Sequence, residues 1–486
     1  MLKLRKLLSR LPDVIIRGSK EIEITGISAN SKTIAPGNLF IAKKGMTVDG
    51  ALYISEAVNA GATAVLTDLY NPFLPSSVTQ LIHPNILDIE SEIAAQYFEC
   101  PSKELFLIGV TGTNGKTTTT FLIRHLLGSS MHPCGLIGTV EWALGHKIQP
   151  ATQTTPDVIT NHRLLKEMLH GGCKTAVMEV SSHALDQGRV KGLDFNTAIF
   201  TNLTQDHLDY HGTMEHYAAS KARLFTSLSA SSLAILNMDD PAWEIMKEHS
   251  CARIITYGIT SKAQLRAEDI VLSVSGTRFT LCYQGEKHPF FSPLIGTYNI
   301  YNILAAVAAA LSYGLSIEDV QSTLSTFTKV PGRLEKIYNS KGFSIFVDYA
   351  HTDDALENVL KTLNELKKGR LILVFGCGGD RDRGKRPKMG KVATALADLT
   401  MITSDNPRNE DPSAIIEEIK SGCNDSSRYI VEVDRKLAIE RAILLAQPED
   451  ILLIAGKGHE RYQILGSRQV LFDDREVAYQ AACSLI

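Results

Sequence analysis

The residues best able to do chemistry lie in Val110-Thr111-Gly112-Thr113-Asn114-Gly115-Lys116-Thr117-Thr118. An apolar run, Leu105 to Val110, precedes them and Phe121-Leu122-Ile123 follows, so the order is strand, glycine loop, helix. Gly112 and Gly115 let the backbone turn its N–H groups toward an anion. Lys116 can reach outer phosphates, and the Thr117 hydroxyl can ligate Mg²⁺ at a helix N-terminus. The Gly-x-x-Gly-Lys-Thr spacing is two residues shorter between its glycines than the general phosphate-loop pattern, which would need glycine at position 110, where Val stands. It is a tighter variant, read as a nucleoside triphosphate site.

Other reactive residues fall at strand ends. The strand Thr175 to Val180 carries Glu179, an acidic residue able to orient Mg²⁺ beside such a loop. The strand Phe195 to Phe200 leads into Thr201 to Gly212, at the edge where open parallel sheets bind ligands. His207, His211 and His216 match no complete zinc site, lack a nearby cysteine, and sit beside phosphate chemistry that favours oxygen-rich Mg²⁺ sites. Lys221, in a predicted helix Met214 to Leu228, reads from its spacing as a solvated surface lysine. Asn299 and Asn302, three apart at the start of a helix through Ala310, are either caps or a pair of amides able to read a purine edge. Pro331-Gly332-Arg333 reads as a hinge, with Arg333 available to a phosphate.

The elements that must position these groups alternate between strand and helix. Residues 1–100 read as a small α/β unit with strands at Ile22–Ile27, Leu39–Ala42 and Ala64–Leu66, and a helix Ile54–Ala60. Its polar loops are Ser28 to Lys32 and Gly45 to Gly50. Leu4, Leu7, Leu8 and Leu11 favour a first core helix over a targeting peptide. Beyond residue 332, strands at Ser344–Val347, Arg370–Phe375, Leu399–Thr403, Tyr429–Val433 and Asp450–Ala455 suggest a doubly wound sheet. Polar clusters follow four of them: Asp348 to His351, Gly376 to Arg383, Asp405 to Arg408 and Gly456 to Glu460. The basic set Arg381, Arg383, Lys385, Arg386 and Lys388 suits a carboxylate or phosphate, or else forms a solvated loop. The fold class is therefore α/β with three domains: 1–100; a central phosphate-loop-type parallel-sheet domain, 101–332; and a Rossmann-like doubly wound domain, 333–486.

Composition excludes several classes. The 486 residues hold 50 basic and 53 acidic side chains, net −3, which gives no surface for nucleic acid or an anionic membrane. No run approaches the ~18 apolar residues of a membrane span. Eight scattered cysteines without a Cys-x-x-Cys pair read as reduced thiols of a cytoplasmic protein.

In order, Thr111 to Thr117, Met178-Glu179-Val180-Ser181-Ser182-His183, Asp206 to Gly212, Tyr298 to Asn302, Pro331-Gly332-Arg333 and Asp348-Tyr349-Ala350-His351 resemble the Mur ligase family of ATP-dependent, ADP-forming amide synthetases, over essentially the whole chain. The resemblance implies domains for a UDP-sugar, ATP and an incoming amino acid, in that order; a monomer is expected. For ATP it implies Gly112, Thr113, Asn114, Gly115, Lys116, Thr117 and Thr118, with Asn299 on adenine, Arg333 on phosphate and Asp348 on ribose. For the substrate UDP-MurNAc-L-Ala-D-Glu it implies Ser31, Met46, Thr47 and Val48 at the UDP end, and Gln153, Thr154, Thr155, Ser181, Gln187 and Arg189 at the muramoyl peptide. Lys221 matches the lysine that the family carries as a carbamate, a Mg²⁺ ligand beside Thr117, Glu179 and His207. The implied catalytic set is Lys116, Glu179, His207 and Lys221.

Asp405-Asn406-Pro407-Arg408 matches the motif of family members that add meso-2,6-diaminopimelate, whereas lysine-adding members lack the arginine. Arg408, aided by Arg381, is then expected to clasp the distal carboxylate, and Gly456 and Glu460 to hold the remote amino and carboxylate groups. The sequence departs from the family pattern at Asn30, Lys32, Gln153, Tyr298 and Asp353. Alternatives are ligation of L-lysine, folylpolyglutamate synthesis, or a nucleotide-dependent ATPase or switch.

Overall fold

Leu107, Ile108 and Val110 are inaccessible to solvent, as befits a strand in a parallel sheet covered on both faces. Their strand, Phe106–Thr111, runs parallel to Thr175–Glu179 on one side and to Thr197–Phe200 on the other. Cys134–Ile137, Leu233–Asn237 and Arg253–Gly258 extend the parallel run, and the hairpin Glu141–Leu144/Lys147–Pro150 joins its edge antiparallel. In register, Glu179 lies opposite Val110 and Phe200 opposite Thr111. The carboxyl ends of three neighbouring strands thus present their next residues at one edge.

These are elements of a computed structural model that describes residues 2–11, 13–45, 48–128 and 131–484. The chain forms two units, Met1–Leu265 with Leu304–Leu315, and Arg266–Ile303 with Ser316–Ile486. The α/β class read from the sequence holds in both. In the first unit, a five-stranded sheet orders Ile15–Arg17, Thr79–Ile82, Ala64–Thr67, Asn38–Ile41 and Gly26–Ser28, with only the Ile15–Arg17 edge antiparallel. The strand expected over Ile22–Ile27 is two strands. Glu23–Ile24 pairs with Leu2–Lys3, while Gly26–Ser28 pairs with Asn38–Phe40. Thr25 lies between them, its N donating to Gly37 O at 3.0 Å and its hydroxyl to Pro36 O at 2.8 Å. The first helix is a single turn, Leu4–Leu7, with Leu4, Leu7 and Leu8 buried.

In the second unit the sheet order is Glu335–Ile337, Ser344–Asp348, Ile451–Ala455, Leu371–Phe375, Leu399–Ile402 and Tyr429–Val431, all parallel except the first. Alternate residues face opposite sides. Phe346, Leu371, Leu373, Phe375, Ile402 and Leu453 pack with helices Asp353–Leu366, Lys385–Leu396 and Pro412–Lys420; Ile345, Val347, Ile372, Val374, Met401 and Leu452 pack with Arg435–Leu445 and Asp474–Ser484. Each fully buried side chain of this kind contributes about 1.5–3 kcal/mol. The sheet is doubly wound, as the strand–helix rhythm predicts. No described helix is long and apolar enough to cross a membrane.

One buried group predicts a pH effect. His162, on helix Val158–His170, is wholly buried with both ring nitrogens lacking a hydrogen-bond partner, and burial lowers its pKa to about 4. The unfolded chain, with His near 6.5, takes up the proton first. Stability from this group is complete above pH 6.5 and is lost as pH falls toward 4, by about 3 kcal/mol in all. His162→Leu should abolish that increment in urea unfolding measured across the window. Parallel pH curves for variant and wild type would contradict it.

Candidate active site

Two groups of side chains collect at sheet edges, one in each unit. In the first, the loop Gly112 to Gly115 turns with Gly112 at φ +148° and Gly115 at φ +85°. A Cβ on Gly112 would stand 1.9 Å from Thr201 Oγ1, so only glycine lets the loop pass the end of the neighbouring strand. Residues 201–204 then hold it: Thr113 N donates to Asn202 O at 2.8 Å, Asn114 N to Asn202 Oδ1 at 2.9 Å, and Thr201 Oγ1 to Asn114 O at 2.6 Å. Helix Lys116–Leu127 begins directly after the loop, with Thr117 and Thr118 buried. Lys116 Nζ donates to Gly112 O at 2.9 Å and to Thr113 O at 2.7 Å.

Thr117 Oγ1 donates to Glu179 Oε2 at 3.0 Å, and Glu179 is 1% exposed. Thr139, which the sequence analysis does not single out, supplies two further bonds, N to Oε1 at 2.8 Å and Oγ1 to Oε2 at 3.1 Å. It follows the strand Cys134–Ile137 at the same sheet edge, and that position is the signal that could have found it. Hydroxyl and carboxylate oxygens of Thr117, Thr139 and Glu179 form a hard donor set of the kind Mg²⁺ takes.

Lys221 is not the solvated surface lysine that its spacing alone suggests. On helix Met214–Thr226 it is 1% exposed, its Nζ donating to Gly112 O at 2.9 Å and lying 4.3 Å from the centre of the Tyr217 ring. Two lysines therefore converge on one carbonyl. Burial, and then the Lys116 charge, hold the Lys221 amine well below the usual lysine range. His207, its side chain 48% exposed and its backbone at φ +53°, stands edge-on to His183 with ring centres 4.8 Å apart. Burial first, then the Lys116 and Lys221 charges, keep its imidazole below the ordinary value against the pull of Asp206. His211 lies 3.0 Å from Ser182 Oγ and His216 3.0 Å from His211 O. Among the described residues, no three His, Cys, Asp or Glu side chains are grouped to hold a metal ion.

Next to Glu179, Thr155 Oγ1 donates to Glu179 O at 2.8 Å and accepts from Ser181 N at 3.1 Å. Thr154 Oγ1 lies 3.1 Å from Thr139 Oγ1. Arg189 donates to Thr155 O at 3.0 Å and to Gln187 Oε1 at 2.6 Å. These sequence-predicted residues are brought together; Gln153 is exposed beside them. Ser31 is buried with Oγ donating to Glu56 at 3.2 Å, and Val48 is exposed, its carbonyl accepting from Gly45 N at 2.8 Å. Met46 and Thr47 lie outside the described residues.

In the second unit, Asn299 and Asn302 are buried on the first turns of helix Thr297–Tyr313. Asn302 Nδ2 donates to Asn299 Oδ1 at 3.0 Å, and Asn299 Nδ2 to Ile295 O at 2.8 Å. Asp348 accepts from Leu334 N at 2.6 Å and Ala350 N at 2.8 Å, and burial pushes its carboxyl up against Arg333 and those two donors. Arg333 lies over the Tyr349 ring at 4.6 Å. Gly456, after the strand Ile451–Ala455, donates to Asp348 O at 3.1 Å.

Beside them stand Asp405, Asn406, Pro407 and Arg408. Asn406 Nδ2 donates to Glu460 Oε2 at 2.9 Å. Lys457, wholly buried, donates to Asn406 Oδ1 and Glu460 Oε2, both at 3.1 Å, and to Tyr462 O at 2.6 Å. It fastens the two loops together, a role its place in a Gly-Lys-Gly run does not disclose. Arg408 Nη1 donates to Gly379 O at 2.8 Å, and Arg381 is exposed. The basic run is neither a free anion site nor a solvated loop throughout. Arg386 is wholly buried between Glu410 and Glu418 at 2.8 Å from each, Arg383 pairs with Glu410, and Lys385 donates to His351 O.

The family profiles "Mur ligase family, catalytic domain", "Mur ligase middle domain" and "Mur ligase, glutamate ligase domain" match residues 23–94, 110–310 and 332–458. The chain is 43% identical, over 99% of both lengths, to a UDP-N-acetylmuramoyl-L-alanyl-D-glutamate–2,6-diaminopimelate ligase of Geobacillus thermodenitrificans. The chain belongs to the Mur ligase family. A ligase of the same name from Chlamydia pneumoniae is 44% identical over 99% of this chain and 100% of its own. A solved structure with that ligase name superposes with a TM-score of 0.73 at 34% identity, covering 99% of each chain. A MurF ligase from Thermotoga maritima in complex with ADP shares the fold, with a TM-score of 0.65 at 18% identity over 96% of this chain and 97% of its own. As a Mur ligase, the chain is an ATP-dependent, ADP-forming ligase.

Proposed function

We propose that this Mur ligase joins meso-2,6-diaminopimelate to UDP-MurNAc-L-Ala-D-Glu through an acyl phosphate, as a cytoplasmic monomer in peptidoglycan biosynthesis. The observation that carries the reading is the arrangement of Asn406 and Glu460 about buried Lys457, on the loop that also carries Arg408, in a chain resembling diaminopimelate ligases along its whole length. Residues 1–100 receive the UDP-sugar, 101–332 ATP, and 333–486 the amino acid.

The γ-carboxylate of D-glutamate attacks the ATP γ-phosphate and ADP leaves. The diaminopimelate amine then displaces phosphate from the acyl phosphate, giving the amide. Both steps bring anionic groups together, so charge neutralisation is the main device. Lys116 moves from the carbonyls of Gly112 and Thr113 to the outer phosphates, while the N–H groups of residues 112–118 face the phosphate chain. Thr117, Glu179, His207 and Lys221 would hold Mg²⁺, which supplies further neutralisation at the transferring phosphoryl group. Lys221, a buried amine of low basicity, takes up CO₂ and releases a proton, becoming a carbamate whose oxygens suit that ion. Asn299, Arg333 and Asp348 hold adenine, phosphate and ribose. Ser31 and residues 46–48 meet the UDP, and Gln153, Thr154, Thr155, Ser181, Gln187 and Arg189 the muramoyl peptide.

Arg408, with Arg381, clasps the distal carboxylate, which L-lysine lacks, while Asp405, Asn406, Pro407, Gly456 and Glu460 complete the site. Lysine would leave the guanidinium without its carboxylate partner, and sites built for a polar group reject analogues lacking it by roughly 10⁴-fold. Arg408→Ala should therefore lower kcat/KM for diaminopimelate by on the order of 10²-fold or more, with the KM for ATP little changed. Steady-state phosphate release with each amino acid tests this, and an unaltered preference for diaminopimelate would remove Arg408 from the account.

A further inference from the structure

Arg408 is one of the non-glycine residues with a left-handed backbone, at φ +52°. Such a conformation persists in a non-glycine residue only where the surroundings hold it. The holding element is a hairpin, Tyr462–Leu465 paired antiparallel with Arg468–Leu471 around Gly466-Ser467. Arg408 N donates to Ile464 O at 3.1 Å, and Gly466 N donates to Arg408 O at 2.7 Å, so both main-chain polar groups of the strained residue end on the hairpin. Two neighbours are held in the same way. Gln463 Nε2 donates to Asp405 O at 2.6 Å, and Ile464 N donates to Asn406 Oδ1 at 3.0 Å. The outer strand, Arg468–Leu471, is exposed along its whole length. The hairpin is thus fastened chiefly by hydrogen bonds to the Asp405–Arg408 loop and to Lys457, whose Nζ reaches Tyr462 O.

We infer that this hairpin sets amino-acid selectivity: Gln463 and Gly466 are positioning residues that fix the backbone of Arg408, and through it the aim of the guanidinium at the distal carboxylate of the incoming amino acid. The inference rests on the proposed function, since it presupposes a carboxylate for Arg408 to grip. Gly466 sits at φ +59° with no atom within 4 Å of an added Cβ. A side chain there meets no clash; its cost is the left-handed backbone alone, which Asn tolerates and a β-branched residue does not. This gives a matched pair of variants at one position. Gln463→Leu keeps the approximate volume and removes the amide donor to Asp405 O.

The test is steady-state phosphate release by full-length wild type, Gln463→Leu, Gly466→Val and Gly466→Asn, titrating diaminopimelate, ATP and UDP-MurNAc-L-Ala-D-Glu in turn, with L-lysine as competitor and Tm recorded for each. Gln463→Leu and Gly466→Val should raise the KM for diaminopimelate about 10-fold, since misplacing a group by about 1 Å can cost up to 10²-fold, and narrow the preference over lysine. The KM values for ATP and UDP-MurNAc-L-Ala-D-Glu should stay within about two-fold, and Gly466→Asn should resemble wild type. An unchanged KM for diaminopimelate in both disrupting variants, or a parallel fall in all three substrates' kcat/KM together with Tm, overturns the inference and leaves the proposed function standing. Wild type that releases no phosphate in response to diaminopimelate overturns the proposed function and this inference with it.

Discussion

Replacing Lys221 by methionine should leave a folded protein, thermally no less stable than wild type, whose turnover falls by at least about 10³-fold. The two halves of this result have different causes. An amine 1% exposed, with Gly112 O and the Tyr217 ring beside it and a second lysine on the same carbonyl, is poorly compensated whenever it is protonated. Burying such a charge costs several kcal/mol, and an apolar side chain of similar length removes that cost. A residue retained there for stability would behave in the opposite way. The loss of turnover follows from the lost anionic ligand, so Lys221→Glu, which supplies a carboxylate, should recover part of it. Calorimetry gives the first half, phosphate release the second, and intact-mass spectra of wild type with and without bicarbonate report the carbamate. A Met variant that keeps more than a tenth of wild-type turnover would remove the modified lysine from the mechanism.

Lys116→Met should lower kcat/KM for ATP by at least about 10³-fold, because no other side chain of the loop carries charge to the phosphates. Lys116→Arg should not restore it, as a planar fork cannot take the path of a point charge between the Gly112 and Thr113 carbonyls. The effect reaches Lys221 too. Lys116 is the second cause of that amine's low basicity, so removing it should leave more of Lys221 protonated and unable to take up CO₂. The double variant Lys116→Met/Lys221→Met should accordingly be scarcely worse than either single one, the non-additivity of groups acting as a unit. Additive losses would mean that the two lysines work separately.

What could be read from the chain depended on how local the cause was. The phosphate loop announces itself because strand, glycines and helix are contiguous, and the doubly wound sheet because apolar strands and helical segments alternate regularly from residue 344 to 455. The spacing around Lys221 carries no such signal. Its burial arises where one helix packs under a loop more than a hundred residues earlier, and spacing within the helix does not encode that. Thr139 and Lys457 are silent in the sequence for the same reason, since each matters through partners distant in sequence or through a loop closed by tertiary contacts. The reading of Arg386 as a free basic group failed because Glu410 and Glu418, which neutralise it, lie more than twenty residues away. Antiparallel segments such as Tyr462–Leu465 with Arg468–Leu471 were not foreseen, being short and largely exposed, with little hydrophobic pattern to expose their pairing.

The most direct test of the whole account is phosphate release by the purified chain with UDP-MurNAc-L-Ala-D-Glu and MgATP, comparing meso-2,6-diaminopimelate, L-lysine and no amino acid. The account predicts release, with an amide product of matching mass, that depends on diaminopimelate and is weak with lysine. Equal turnover with lysine would contradict the part assigned to Arg408, and release indifferent to any amino acid would contradict the ligase itself.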